Sequence, residues 1–274
     1  MPELPEVESL VRGVRQELLG KRFVDVSFLR PDVREVIPAA RLKDILVGET
    51  VTEVTRRGKY MLIHTNKGAL GVHLGMSGRF VGASKSALLV AHTHARFEVN
   101  DGLEYRFIDP RRFGRLFSLE PGEVGSHPFL AKLGVEPLDP GVDLRGVLLE
   151  ASRNRRQPVK VFLMNSEVVV GVGNIYASEV LWRAKINPHT VVNKIPVRKF
   201  IEISRQIIDV LSEAIKAGGT TFRDYRDKDG NPGYFQENLA VYGRQAKPCG
   251  RCSSKIVKTT QAARSTYHCP ICQK

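Results

Sequence analysis

Residues 249–272 read "CGRCSSKIVKTTQAARSTYHCPIC". All four cysteines of the chain lie here, Cys249, Cys252, Cys269 and Cys272, as two Cys-x2-Cys pairs with sixteen residues between them. Each pair presents two thiolates from one tight turn, and the intervening residues suit a hairpin that brings the pairs into a tetrahedron of sulfurs. Disulfide pairing is the competing reading. It calls for an oxidising compartment, and the acidic, proline-rich start of the chain carries no secretory pattern. The spacing therefore predicts one structural Zn2+. Four protein ligands leave no open coordination position, so this metal folds the tail rather than doing chemistry, and no organic cofactor is expected.

The finger is cationic. From Asn238 to Lys274 there is no Asp or Glu, while Arg244, Lys247, Arg251, Lys255, Lys258, Arg264 and Lys274 supply +7 of the formal net charge of +13. Residues 153–160, "RNRRQPVK", add Arg153, Arg155, Arg156 and Lys160. A single basic cluster is usually a solvated face. Two clusters and an acid-free tail favour nucleic acid as the partner. No apolar run nears the ~18 residues that a membrane-spanning helix needs, so a soluble, intracellular protein with no membrane partner is expected.

Upstream, the hydrophobic period changes once. "FVDVSF" (23–28) places Val24, Val26 and Phe28 on one face. "KYMLIHTNKGALGVHL" (59–74) reads as two strands around a Lys-Gly turn, and "ARFEVNDGLEYRFID" (95–109) as a hairpin on Asp101-Gly102. Beyond the Pro- and Gly-rich "GVEPLDPGVD" (134–143) the patterns are helical. In 196–219, Phe200, Ile203, Ile207, Val210 and Leu211 share a face and Gly218-Gly219 stop the helix. The expected fold is α+β and multidomain. It comprises an N-terminal β-sandwich with a leading helix (1–125), a linker (126–140), a helical domain with a functional loop (141–237) and the zinc-finger hairpin (238–274).

The first ten residues, "MPELPEVESL", admit two readings. Val7, Leu10, Val11, Val14 and Leu18 mark an amphipathic helix, and prolines and carboxylates suit its first turn. Alternatively, removal of Met1 leaves Pro2 with a free secondary amine next to Glu3. An α-amino group titrates at ~7.7–8.0, so part of it is neutral and nucleophilic near neutral pH. Further along, "VVVGVGNIYASE" (168–179) sets Asn174 as the cap of a helix after a glycine turn, where exposed N–H groups suit a phosphate.

Together with "RRGKY" around Lys59, "HLGMSG" around Met76, "DPRRFG" at 109–114 and the terminal "CPICQK", these stretches resemble the formamidopyrimidine-DNA glycosylase family from one end of the chain to the other. The resemblance implies a β-sandwich, a helix–two-turns–helix domain and a zinc finger, with damaged double-stranded DNA held in a cleft. It implies a bifunctional glycosylase and abasic-site lyase of base excision repair, monomeric, cytoplasmic and associated with the bacterial nucleoid. Such an enzyme removes 8-oxoguanine and formamidopyrimidines and nicks the strand by β,δ-elimination.

Residue by residue, the resemblance makes Pro2 the nucleophile and Glu3 the general acid, with Glu6 in support. It puts Lys59 at the phosphate or ring oxygen of the lesion. Met76, Arg111 and Phe113 fill the hole left by the everted nucleotide, and Arg264 at the finger tip promotes δ-elimination. His92, Arg156, Lys160 and Asn174 become further DNA contacts. Without the motifs, Met76 and Phe113 read as core residues. Ser9 stands where many relatives carry Thr, "GASKSALLVA" (82–91) carries no family motif, and the loop at roughly 219–237 sets lesion preference. Two rival readings are an endonuclease VIII-like pyrimidine glycosylase, disfavoured by Leu4, and a non-enzymatic zinc-ribbon DNA-binding protein, which leaves Pro2, Glu3 and Lys59 without a role.

Overall fold

Period-two patterning in the first half of the chain becomes two four-stranded antiparallel sheets. The computed structural model describes residues 2–220 and 235–274. After helix α1 (Leu4–Leu18) come β1 (Phe23–Phe28), α2 (Ala39–Leu46), β2 (Glu53–Arg57), β3 (Tyr60–Thr65), β4 (Gly68–His73), β5 (Arg79–Ser84), β6 (Thr93–Val99), β7 (Leu103–Ile108) and β8 (Arg115–Leu119). One sheet runs β1-β6-β7-β5 and the other β2-β3-β4-β8. Phe23, Phe97, Tyr105 and Phe107 from the first share a core with Val54, Ile63, Leu70 and Val72 from the second, and α1 and α2 contribute Leu10, Val14, Leu42 and Ile45.

Three local departures have physical causes. Val24 is 47 % exposed and Phe23 is buried instead, because a bulge between Phe23 and Asp25 shifts the face of β1. Helix α2 was not expected from the strand-like surroundings, although Leu42, Ile45 and Leu46 supply its buried stripe. Lys59 sits in the Gly58-Lys59 turn joining β2 to β3, not on a strand, and Gly58 supplies the positive φ of 57° that the turn requires.

The second half is helical, with α3 (Leu144–Ser152), α4 (Val159–Leu163), α5 (Asn174–Arg183) and α6 (Val197–Lys216), followed by the hairpin strands β9 (Val257–Gln261) and β10 (Arg264–His268). Asp143 caps α3 by accepting from the Gly146 N–H. The expected face of α6 is buried, and Gly218 and Gly219 follow its end at φ 74° and 83°. Contacts divide the described chain into residues 2–131 with 217–220, and 132–216 with 235–274, so the finger folds with the helices. Residues 126–140 hold no helix or strand, but the N–H groups of Gly134 and Val135 donate to the Ser166 and Val168 carbonyls.

Candidate active site and nucleic-acid interface

The start of the chain is buried and tied down. Pro2 is buried, and Glu3 and Glu6 are 2 % and 1 % exposed. Glu3 occupies the cap position of α1 and forms a reciprocal box with Glu6, whose Oε2 accepts from the Glu3 N–H at 2.7 Å. The other oxygen of Glu6 accepts from the N–H and hydroxyl of Thr220 at 2.7 and 2.9 Å. A Cβ on Gly219 would sit 2.9 Å from that carboxylate, so glycine there serves both the positive φ and the close approach. The helix-start reading is thus correct as local structure, and it fixes the backbone of Glu3. Met1 and most of the expected lesion-recognition loop, residues 221–234, lie outside the described residues.

Helix α1 also reaches the turn that carries Lys59. Glu8 Oε2 accepts from Arg56 Nε at 2.9 Å, and Arg56 Nη1 donates to the Gly58 carbonyl at 3.0 Å. Burial raises the Glu8 pKa, but hydrogen bonds and charge from Arg12 and Arg56 outweigh it and hold the carboxyl below its ordinary range. On the neighbouring strand, His73 is pushed down to about 3, first by burial and then by the charges of Arg115, Lys59 and Arg34. Its Nδ1 accepts from the Gly75 N–H at 3.1 Å, which requires a neutral ring.

Met76, Arg111 and Phe113 are not core residues. Met76 and Phe113 are each 39 % exposed, and the Arg111 guanidinium lies 4.9 Å from the Phe113 ring centroid. Their two loops abut, for a Cβ on Gly75 would meet the Phe113 carbonyl carbon at 2.4 Å. His92 is exposed with φ 66°. The motif-free segment 82–91 is pinned from beneath by buried Arg106, which donates to the Leu88 and Ala87 carbonyls at 2.7 and 2.6 Å.

The helical unit arranges its residues differently. Asn174 is the first residue of α5 and Gly173 holds the cap position, so the expected Asn cap is corrected. The Asn174 side chain is instead engaged by Lys160 and Tyr242: Lys160 Nζ donates to Asn174 Oδ1 at 2.5 Å, and Asn174 Nδ2 donates to the Tyr242 hydroxyl at 3.4 Å. Lys160 is 1 % exposed and also donates to the Ser265 carbonyl and Thr266 hydroxyl at 2.9 and 2.8 Å. Its ammonium joins α4, α5 and β10, whereas Arg156 and Arg264 are exposed. Sequence reasoning passed over Tyr242 and Glu179. Buried Glu179 accepts from the N–H groups of Ala240, Val241 and Tyr242 at 2.8, 3.0 and 2.8 Å, and burial raises its pKa. Its place in "NIYASE" was the only available signal.

The four cysteine sulfurs lie within 4.8 Å of one another. The Arg251 and Cys272 N–H groups point at the sulfurs of Cys249 and Cys269, both at 3.4 Å, as donors to metal-bound thiolates do. The donor set fits a closed tetrahedral Zn2+ site. Arg251 stacks 3.9 Å from the Trp182 ring centroid and donates to the Trp182 carbonyl, and buried Gln273 donates to the Ile186 carbonyl. Both fasten the finger to the end of α5. The tip residues Ala262 and Ala263 have φ of 47° and 58° and place exposed Arg264 at the start of β10.

Models of the formamidopyrimidine-DNA glycosylase N-terminal domain, its H2TH domain, and the zinc finger found in FPG and IleRS match residues 1–116, 133–226 and 246–274. The chain belongs to the formamidopyrimidine-DNA glycosylase family. It is 43 % identical over 273 residues to the formamidopyrimidine-DNA glycosylase of Legionella pneumophila strain Philadelphia 1, covering 100 % of this chain and 98 % of that one. Identity to the Ruthia magnifica enzyme is 44 %, with both chains fully covered. Among solved structures, a Lactococcus lactis FPG mutant in complex with Fapy-dG-containing DNA has a TM-score of 0.92 at 32 % identity, with both chains fully covered. MutM (FPG) from Thermus thermophilus has a TM-score of 0.88 at 36 % identity, over 99 % of this chain and 98 % of that one. No helix among the described residues is long and apolar enough to cross a membrane.

Proposed function

We propose that the protein is a bifunctional DNA glycosylase and abasic-site lyase that removes oxidised purines from duplex DNA in base excision repair, acting as a monomer in the cytoplasm. The observation that carries this reading is the exposed trio. Family members act on nucleotides taken out of the stack, and Met76, Arg111 and Phe113 stand in solvent on abutting loops, suited to enter the vacated space. Phe113 wedges between bases, Met76 fills irregular space, and Arg111 donates to the orphaned cytosine.

In the reaction, removal of Met1 frees the Pro2 amine. Its lone pair forms the bond to C1′ of the lesion sugar, and the base leaves with the electron pair of the glycosidic bond. The attached amine gives up its N–H proton, which neutralises the departed base; its nitrogen lone pair then opens the C1′–O4′ bond to form the iminium as Glu3 protonates the ring oxygen. The iminium acidifies the C2′ proton; loss of that proton expels the 3′ phosphate, and a second elimination expels the 5′ phosphate. Lys59, on its Arg56-braced turn, neutralises phosphate or ring-oxygen charge, and Arg264 assists the second step. Asn174 and Arg156 grip phosphates with His92, and Lys160 holds Asn174 and the finger in register. Zinc on the four cysteines folds the finger and takes no part in bond making.

Borohydride trapping on 8-oxoguanine:C duplex, with mass spectrometry of the adduct, tests the reading. A covalent link at the Pro2 nitrogen is expected; trapping at a lysine overturns the assignment. Faster cleavage of thymine glycol than of 8-oxoguanine would favour the pyrimidine branch.

A further inference from the structure

We propose that Asp109 is the positioning residue that couples Met76, Arg111 and Phe113 into one unit and so sets the preference for cytosine opposite the lesion. This rests on the void-filling reading of those three side chains and adds the group that makes them act together.

Asp109 follows β7 and is fully buried. Its carboxylate accepts three hydrogen bonds from two loops. Oδ1 accepts from the Ser77 hydroxyl at 2.7 Å and from the Arg111 N–H at 3.3 Å, and Oδ2 accepts from the Gly114 N–H at 2.7 Å. One set of oxygens therefore holds the residue after Met76, the backbone of Arg111 and the residue after Phe113. Its main chain adds the stretch that carries His92. The Asp109 N–H donates to the His92 carbonyl at 3.1 Å, and the Asp109 carbonyl accepts from His94 Nε2 at 2.8 Å and the Arg112 N–H at 3.2 Å. Arg112, between Arg111 and Phe113, is held at φ 56°, a conformation a non-glycine residue keeps only when its surroundings impose it.

The energetic logic is one of preorganisation. Exposed side chains that must enter a duplex together gain from a backbone already fixed at the correct spacing. Bonds to an ionised, buried acceptor are shorter and stronger than neutral ones, and leaving their donors unmatched is costly. With Ser77 and Gly114 on the same carboxylate, displacement of the Met76 loop strains the Arg111–Phe113 loop. Arg111 then meets the opposite base at a fixed height, which is what reading its edge requires.

The test compares excision of 8-oxoguanine opposite C and opposite A by wild type, Asp109→Asn, Asp109→Glu, Ser77→Ala, Arg111→Ala and the Ser77→Ala/Arg111→Ala double variant. Asn at 109 keeps the shape but offers only one acceptor oxygen. It should narrow the C-over-A ratio by about tenfold, the size expected from loss of a charge-assisted hydrogen bond. Ser77→Ala, a smaller disturbance, should narrow it less, and Asp109→Glu should recover part of the ratio. In the Arg111→Ala background Ser77→Ala should have no further effect on the ratio. A purely structural role lowers both rates together and leaves the ratio alone. If Arg111→Ala narrows the ratio but Asp109→Asn and Ser77→Ala do not, the coupling role of Asp109 is wrong. Should Asp109→Asn not fold, independent effects of Ser77→Ala and Arg111→Ala on the ratio would overturn the coupling equally well. If Arg111→Ala itself leaves the ratio unchanged, the void-filling reading fails first.

Discussion

The two units brace the parts proposed to meet DNA with buried side chains of opposite charge type. In the sandwich, Asp109 is fully buried and gathers the Ser77 hydroxyl and the N–H groups of Arg111 and Gly114. In the helical unit, Lys160 is 1 % exposed and gathers Asn174 Oδ1, the Ser265 carbonyl and the Thr266 hydroxyl. What each brace presents differs as well. Asp109 sets three exposed side chains suited to entering the base stack. Lys160 orients an amide and the backbone of a cationic hairpin, groups suited to phosphates. Base contacts specify and phosphate contacts position, so the sandwich should govern which site is cut and the helical unit how tightly any duplex is held.

The sharpest way to break that division lies at the first residues. An uncleaved N-terminal extension, confirmed intact by mass spectrometry, should abolish excision and nicking while leaving DNA affinity near that of the free-proline protein. Full nicking by such a protein would return Pro2 to the role of a helix-start residue. Glu3→Gln should bind lesion DNA yet fail to release the base, and it should retain iminium formation on a pre-formed abasic site.

The next largest effect falls on the other unit. Chelation of zinc, or Cys249→Ser, should unfold the finger and release both lesion and undamaged duplex, because metal binding here is folding energy. Trp182 is the only tryptophan of the chain and stacks on Arg251 of the finger, so its fluorescence should report the loss. The sandwich should keep its fold. Unchanged zinc content and affinity in Cys249→Ser would end the structural-zinc assignment.

Lys160→Met tests the brace itself. It removes the cation and leaves Ser265, Thr266 and Asn174 without their shared donor, so affinity for lesion and undamaged DNA should fall by a similar factor, about tenfold or more. The salt dependence should stay nearly unchanged, because a buried lysine releases no counterions. Arg156→Ala, on an exposed cation, should flatten it. A loss confined to lesion DNA in Lys160→Met would erase the contrast between the units.

Much of this was legible in the sequence because the signals are local. Cys-x2-Cys pairs, the Asp101-Gly102 hairpin and the apolar face of α6 each declare themselves within a few residues. The bulge that turns Val24 outward leaves no such trace, since it depends on pairing with β6. Lys160 reads as one more charge in "RNRRQPVK", and its burial follows from β10, more than a hundred residues away. Asp109 is part of a quotable motif, yet its partner Ser77 lies 32 positions upstream. Spacing finds what touches along the chain, while the braces that order a site are made across it.

The smallest expected effect concerns His73, and it separates the units by pH. The ring lies tilted against Tyr60, with centroids 4.7 Å apart, and accepts from the Gly75 N–H at 3.1 Å, so the fold holds it neutral. Its folded pKa is about 3, against an ordinary value of 6.5. Between those values the unfolded chain takes up a proton that the folded chain refuses. The stability tied to this residue is therefore complete above about pH 6.5 and is lost progressively as pH falls toward 3. His73→Gln can still accept from Gly75 but does not titrate. Other histidines, His64 among them, also have lowered values and should keep their own slopes in the variant. The informative quantity is the difference in urea midpoint between wild type and His73→Gln, measured at pH 7.5, 6 and 5. The gap should shift in favour of the variant as pH falls, without a matching change in Trp182 fluorescence from the helical unit. A gap independent of pH would mean that His73 is protonated at no extra cost in the fold, and its role as a neutral acceptor for the Gly75 N–H would have to be abandoned.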